Sequence, residues 1–364
     1  MVALPRTFIW PDITSRFGAK RYAWHVETQG NQMRIPAVLR DSVVFQYRTR
    51  DEAERHVRIG GTSFLVGHQI LNPDGSSTSY CVPYLVTNKH VAGLCPVVRV
   101  NRRDGGKPDV FELEERDWTM HPDGDDVAIT PVLGKIKPDE HKISFGYTDW
   151  ILTEKMMSKI ALGVGEEVFM VGRFINHQGA EENIAAVRFG SISVMPEPIY
   201  NKAILKNQLS FAVEMRSRTG FSGGMVVAYR TPATILDDVP IDHFHVILGV
   251  NWGYVLDENG ENTWLNGVVP GWKIMDLFDV PRVKAFQAEA TAALFDGLRN
   301  EEDAAMPGLA ISEAEMRKSD NIKDSRPTPP KGKASTVSES GNPAHKEDFT
   351  SLLTEAARMP PQDD

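Results

Sequence analysis

At 364 residues with 41% hydrophobic content, the chain can bury a substantial core. Its net charge of −9 argues against general nucleic-acid binding. No apolar run reaches the roughly 18 residues that a membrane-spanning helix requires.

Residues 1–38 are polar and mixed but carry Trp10, Tyr22 and Trp24, so an extension packed on the main domain is expected. The N-terminus shows no apolar core of signal-peptide length, and a cytoplasmic location is expected. From Ser42–Tyr47 onward, short apolar runs alternate with turn signals such as Pro73-Asp74-Gly75 and Arg103-Asp104-Gly105-Gly106. That spacing predicts an all-β barrel or sandwich. A helical connection follows around Glu154–Ile160, and residues 164–274 form a second strand-rich half that includes Glu167–Gly172 and Val246–Val250. Val283, Phe286, Ala290, Ala293, Leu294 and Leu298 then recur near a 3.6-residue period, which predicts a C-terminal helix, docked on the second half.

Beyond it, Lys, Ser, Pro, Asp and Gly dominate, and so few apolar residues predict disorder. Phe349, Leu352, Leu353 and Ala356 then share one helical face. A short helix after such a segment is a candidate for docking a partner protein on the C-terminal tail, with a frayed terminal helix as the alternative. The expected organisation is an extension over 1–38, a β domain over 39–280 with halves at about 39–140 and 160–280, a helix over 281–303, a disordered linker over 304–345 and a short amphipathic helix over 346–358.

Three segments carry chemistry. Gly220-Phe221-Ser222-Gly223-Gly224 places a serine between glycines. Leu85–Val91 is a strand-like run ending at His90, and His121–Ile129 is an acidic turn feeding an apolar strand. A serine hydroxyl needs a general base within hydrogen-bond reach, and that base needs a third group to fix its tautomer. The assignment is Ser222 as nucleophile, His90 as base and then acid, and Asp126 as orienter. Asp125 competes for the last role. Asp126 is preferred because it directly precedes the apolar run Val127-Ala128-Ile129, whereas Asp125 is expected to face solvent or cap the turn. The backbone N–H groups of Gly220 and Ser222 are candidates for an oxyanion hole, in which one lost donor costs roughly 3–4 kcal/mol.

These segments resemble those of the trypsin-like, chymotrypsin-fold serine peptidases, nearest to bacterial intracellular-type members. Thr87-Asn88-Lys89-His90-Val91 looks like the family's Thr-Ala-Ala-His-Cys, and Asp126-Val127-Ala128-Ile129 like its Asp-Ile-Ala-Leu, with His121-Pro122 ahead of it. Gly220–Gly224 looks like Gly-Asp-Ser-Gly-Gly. Gly249–Gly253 resembles the strand that pairs with substrate backbone, and Gly60–Val66 resembles the strand preceding the histidine. The resemblance covers about residues 40–280. It implies a mainly β fold of two antiparallel six-stranded barrels and a serine endopeptidase acting through an acyl-enzyme, with no metal or organic cofactor. It also implies a protein or peptide substrate held by Asn251, Trp252 and Gly253.

The departures are informative. Phe221 stands where zymogen-type members carry the aspartate that pairs with a new N-terminus, so no activation by N-terminal cleavage is expected. Met225 replaces a proline, and Asn251 replaces the serine that contacts the triad carboxylate, with a side chain still able to donate. The family's pocket floor falls at Arg216, with Arg218 close by. Guanidinium groups there suggest acidic residues at the cleavage site, and solvated surface arginines are the alternative. Cys81 and Cys95 bracket His90 as a disulfide does in some members, and free thiols are the preferred reading. The competing functional reading is a catalytically inactive, protease-like module that binds peptides along Asn251–Gly253. Esterase activity on small substrates is a third.

Overall fold

The computed structural model describes residues 35–57, 60–173, 182–216, 220–230, 235–236, 239–240 and 244–305. Residues 306–345 of the predicted linker, the predicted tail helix, Arg218 and most of the N-terminal extension therefore lie outside the described residues, and the first two linker residues belong to the last helix. Of the extension, Ile35 and Val38 pack against the core.

The first half runs α1 (Ala37–Asp41), β1 (Val43–Tyr47), α2 (Arg50–Glu54), β2 (Gly61–Leu71), β3 (Ser77–Thr87), α3 (Lys89–Leu94), β4 (Val97–Val100), β5 (Asp109–Glu112), β6 (Thr119–Met120), β7 (Ala128–Pro131) and β8 (Gly146–Tyr147). Its strands form a curled sheet in the order β5-β4-β1-β2-β3-β7-β6, with β8 added in parallel to β2. After α4 (Glu154–Lys159) come β9 (Glu167–Arg173), β10 (Ala185–Asn201), β11 (Lys206–Met215), β12 (Met225–Arg230), the small pair β13 (Ile235–Leu236) and β14 (Val239–Pro240), β15 (Phe244–Leu256) and β16 (Asn262–Pro270). Six of these close a barrel in the order β10-β11-β16-β15-β12-β9. Two helices finish the described chain, α5 (Gly271–Phe278) and α6 (Pro281–Ala305). The molecule is mainly β and consistent with a double-barrel, chymotrypsin-like architecture, but not with two closed six-stranded antiparallel barrels. The closed six-stranded barrel is the second; the first is an eight-stranded curled sheet.

Local chemistry sets the element ends. Thr49 and Thr153 have extended backbones, and their hydroxyls accept the N–H of Glu52 and Met156, capping α2 and α4. Strands β1 and β12 are buried along nearly their whole length, because each is covered on both faces. β10 is longer and half exposed, and two register shifts bend it.

The two sheets share one apolar core. Phe45, Phe64 and Val86 from the first sheet pack in the same cluster as Phe169, Val227 and Val250 from the second, with Ile274 and Leu277 of α5. Burial of such surface is worth about 25 cal/mol per Å², so this shared cluster helps hold the two sheets together.

Helix α6 corrects an expectation. Its period-3.6 face is buried at Val283, Ala290 and Leu294, but it docks on the first sheet, not the second. Phe286 meets the Tyr84 ring of β3 edge-on, with centroids 6.4 Å apart, and Arg282 donates to the carbonyl of Trp118 at 3.2 Å. An amphipathic stripe fixes which face is covered and leaves open what covers it. Among the described residues, no helix is long and apolar enough to cross a membrane.

Candidate active site

His90 is the second residue of α3, a short helix that follows β3 directly. Its backbone N–H is one of the orphan donors at a helix start. The Asp126 carboxylate satisfies it, with Oδ1 accepting that N–H at 3.0 Å. The other oxygen, Oδ2, accepts from the His90 ring at Nδ1, 2.7 Å away. One carboxylate thus caps the helix and orients the imidazole, and Nε2 makes no hydrogen bond among the described residues. Asp126 is fully buried, while the His90 side chain keeps 19% of its surface exposed.

Three further groups hold Asp126. Asn88, the residue before α3, gives its amide to the Asp126 carbonyl at 2.8 Å rather than capping its own helix. Asn201, at the end of β10, donates Nδ2–H to Asp126 Oδ2 at 3.0 Å. Gln208 on β11 accepts the Asp126 N–H at 2.8 Å.

Asp125 is not the solvated or capping residue that its turn suggested. It is buried and 3.1 Å from Lys273 Nζ of α5, 3.3 Å from Lys206 Nζ and 3.6 Å from His121 Nδ1. Burial pushes its carboxyl upward, yet the two lysines outweigh that and hold it below the ordinary carboxylate range. Lys273 is raised in turn, its desolvation outweighed by Asp125, Asp276 and Asp123. His121, Asp123 and Asp125 lie close enough to grip a cation, but the Lys273 ammonium, 3.5 Å from Asp123, already supplies the positive charge there.

Ser222 sits on the turn between β11 and β12 and is partly exposed. The turn is tied to the first sheet. Thr62 N–H donates to the Ser222 carbonyl at 2.8 Å, and the Thr62 hydroxyl donates to the Gly220 carbonyl at 2.6 Å. Gly223 has φ +84°, and a Cβ there would stand 2.1 Å from both Thr62 O and Thr87 Oγ1, so the position admits only glycine. The same contact brings the serine turn against Thr87, three residues before His90. Ser222 Oγ makes its hydrogen bond to the Trp252 carbonyl at 3.5 Å; among the described residues it makes none to His90. The backbone N–H groups of Gly220 and Ser222 meet no acceptor among the described residues.

Phe221 is fully buried. Its ring lies on Gly172 of β9, where a Cβ would come 2.5 Å from Phe221 Cδ1, and beneath the Arg188 guanidinium at 5.6 Å. Apolar packing and a cation–π contact thus enclose the Phe221 side chain.

The remaining sequence candidates divide. Asn251 does not touch Asp126; its amide donates to the Phe221 carbonyl at 3.0 Å. The carboxylate's partner from the second barrel is Asn201 instead. Trp252 is buried, with Nε1 3.1 Å from Ser210 Oγ, and Gly253 lies beside Ser222, where a Cβ would stand 3.8 Å from Ser222 Oγ. Arg216 is exposed. Asn201, Gln208 and Thr62 carry no role in the sequence reading, because their contacts cross the sheets with no local motif to mark them.

No protein-family model and no curated protein matches the chain. Among solved structures it is similar to the MamO protease domain from Magnetospirillum magneticum, with 16% identity, 66% of this chain and 96% of that one covered, and a TM-score of 0.42. It is similar to Deg5, with 15% identity, 66% and 88% covered and a TM-score of 0.37. The Rv3671c protease from M. tuberculosis, active form, gives 18% identity, 67% and 82% covered and a TM-score of 0.36. These neighbours are trypsin-like serine proteases of the HtrA/Deg type. At such identities and TM-scores the likeness transfers no chemistry to this chain.

Proposed function

We propose that the protein is a serine endopeptidase acting through His90, Asp126 and Ser222. The observation that carries the reading is the His90–Asp126 pair, with Nδ1 2.7 Å from a fully buried carboxylate that also caps the histidine's own helix. A carboxylate so placed fixes the tautomer with Nε2 unprotonated and stabilises the imidazolium formed during attack.

In this reading, Ser222 Oγ attacks the carbonyl carbon of a peptide bond and its proton passes to His90 Nε2. The carbonyl oxygen becomes an oxyanion that accepts from the N–H groups of Gly220 and Ser222. His90 then gives the proton to the departing amine as the C–N bond breaks, leaving an acyl-enzyme. Water, deprotonated by His90, releases the acyl group and restores Ser222. The Ser222 hydroxyl must rotate from Trp252 O toward His90 for the first step; catalytic hydrogen bonds of this kind often tighten only when substrate is bound. The substrate strand would lie along Trp252–Gly253. The buried Phe221 supports activity without N-terminal cleavage, since it offers no partner to a new amine. Two unpaired cysteines suit a reducing, cytoplasmic setting.

The Ser222–Trp252 hydrogen bond favours one other reading, a peptide-binding module with a silent serine. A fluorophosphonate probe separates the two. Labelling of the intact chain that disappears in Ser222→Ala is the result expected; a folded wild-type chain that stays unlabelled would sink the peptidase.

A further inference from the structure

We propose that the β10–β11 hairpin of the second barrel is the positioning element of the triad carboxylate, with Asn201 as its positioning residue. This rests on the peptidase reading. Three side chains of the hairpin converge on residues 123–126 of the first half: Asn201 and Gln208 on Asp126, and Lys206 on the Asp123 carbonyl at 2.6 Å and on Asp125. No other element of the second barrel hydrogen-bonds Asp126 among the described residues.

Asn201 is the member that acts on the carboxylate itself. It is fully buried, and its own Oδ1 accepts the Ala203 N–H at 2.9 Å. That bond leaves only one orientation for the amide, with Nδ2–H toward Asp126 Oδ2. The oxygen receiving Asn201 is the one receiving His90 Nδ1–H. A carboxylate pivoting about its Cβ–Cγ bond would break both contacts at once. Asn201 therefore locks the rotation that aims the carboxylate at the imidazole. Asn251 is committed to the serine turn, so the second barrel steadies nucleophile and orienter through two separate asparagines.

The test uses the full chain and two variants. Asn201→Ala removes the amide. Asn201→Ser leaves a polar group for the Ala203 N–H but is too short to reach Asp126, and serves if the alanine variant does not fold. Two measurements are made: turnover of p-nitrophenyl acetate, and the downfield proton resonance of His90 Nδ1–H. Misplacement of a catalytic group by about an ångström costs up to ~100-fold, so kcat should fall roughly ten- to a hundredfold with KM within about threefold, and the resonance should shift or broaden. Unchanged kcat per folded molecule with an unchanged resonance overturns the proposal, even if the melting temperature falls. If the wild type fails to label with fluorophosphonate, the peptidase reading is lost, and the resonance alone then decides the role of Asn201: moved in the variants, it stands; unmoved, it falls.

Discussion

The Asn251 side chain donates to the Phe221 carbonyl at 3.0 Å, tying β15 to the turn that presents Ser222. Its backbone makes two more ties, accepting the Gly223 N–H at 2.8 Å and donating to the Gly224 carbonyl at 2.9 Å. The turn's shape is thus held by a strand that also borders the cleft. Replacing Asn251 with alanine removes the side-chain bond and leaves a buried carbonyl without its donor. A loss of about 1–3 kcal/mol in urea unfolding is expected. The loss in kcat should be at least tenfold, since each ~1.4 kcal/mol of transition-state stabilisation is a factor of ten.

Phe221→Ala tests the core beneath the Ser222 turn. The ring fills the space between Gly172 and Arg188. Destabilisation of about 3–5 kcal/mol is expected from lost burial and the cavity left behind, read from denaturant midpoints at constant slope. The activity of the remaining folded protein should fall as well, because the peptide N–H groups on either side of the ring lose their support.

The pairing of His90 with Asp126, and the closeness of the Ser222 turn to Thr87, were legible because each residue sits in a short pattern with a local cause: a histidine at the end of a strand, a carboxylate at the mouth of a buried run, a serine between glycines. Asn201 and Gln208 were not, because they meet Asp126 across 75 and 82 residues and nothing in Tyr200-Asn201-Lys202 marks a buried donor. Asn251 was read as a partner of the carboxylate, and the main-chain carbonyl of Phe221 captured it instead. The period of α6 was readable and its docking surface was not, since aromatic rings on β3 supply that surface only once the sheet has curled.

The ion cluster around Asp125 predicts a pH profile of stability. The Asp125 carboxyl is held below its ordinary range, so its contribution is present above that range and is lost as pH falls through the lowered value. Lys273 is raised, so its contribution is present below the ordinary lysine value and is lost as pH rises through the raised one. Melting temperature should therefore decline at both the acid and the strongly alkaline end. Asp125→Asn should lower it near neutrality and flatten the acid decline; an acid limb as steep as that of the wild type would contradict the assignment.

The two thiols should be silent in the native state. Burial pushes Cys81 up to about 12 and Cys95 to about 11, and both are enclosed, so neither offers thiolate to a reagent at neutral pH. Ellman's reagent should report almost no reaction with native protein and two thiols in guanidinium. A reading of zero in denaturant would mean a bridge.

The Thr62 N–H that meets the Ser222 carbonyl gives the order of synthesis a chemical meaning. Asp126 leaves the ribosome 96 positions before Ser222 (222 − 126), and β15 and β16, which complete the barrel around the serine turn, come later still. On the proposed peptidase reading, a nascent chain holding only the first sheet has a base and its orienter with nothing to activate. A fragment holding only the second has a serine with no base. Neither half can act on its neighbours in a crowded polysome, and two separately produced halves should regain function only on reassociation.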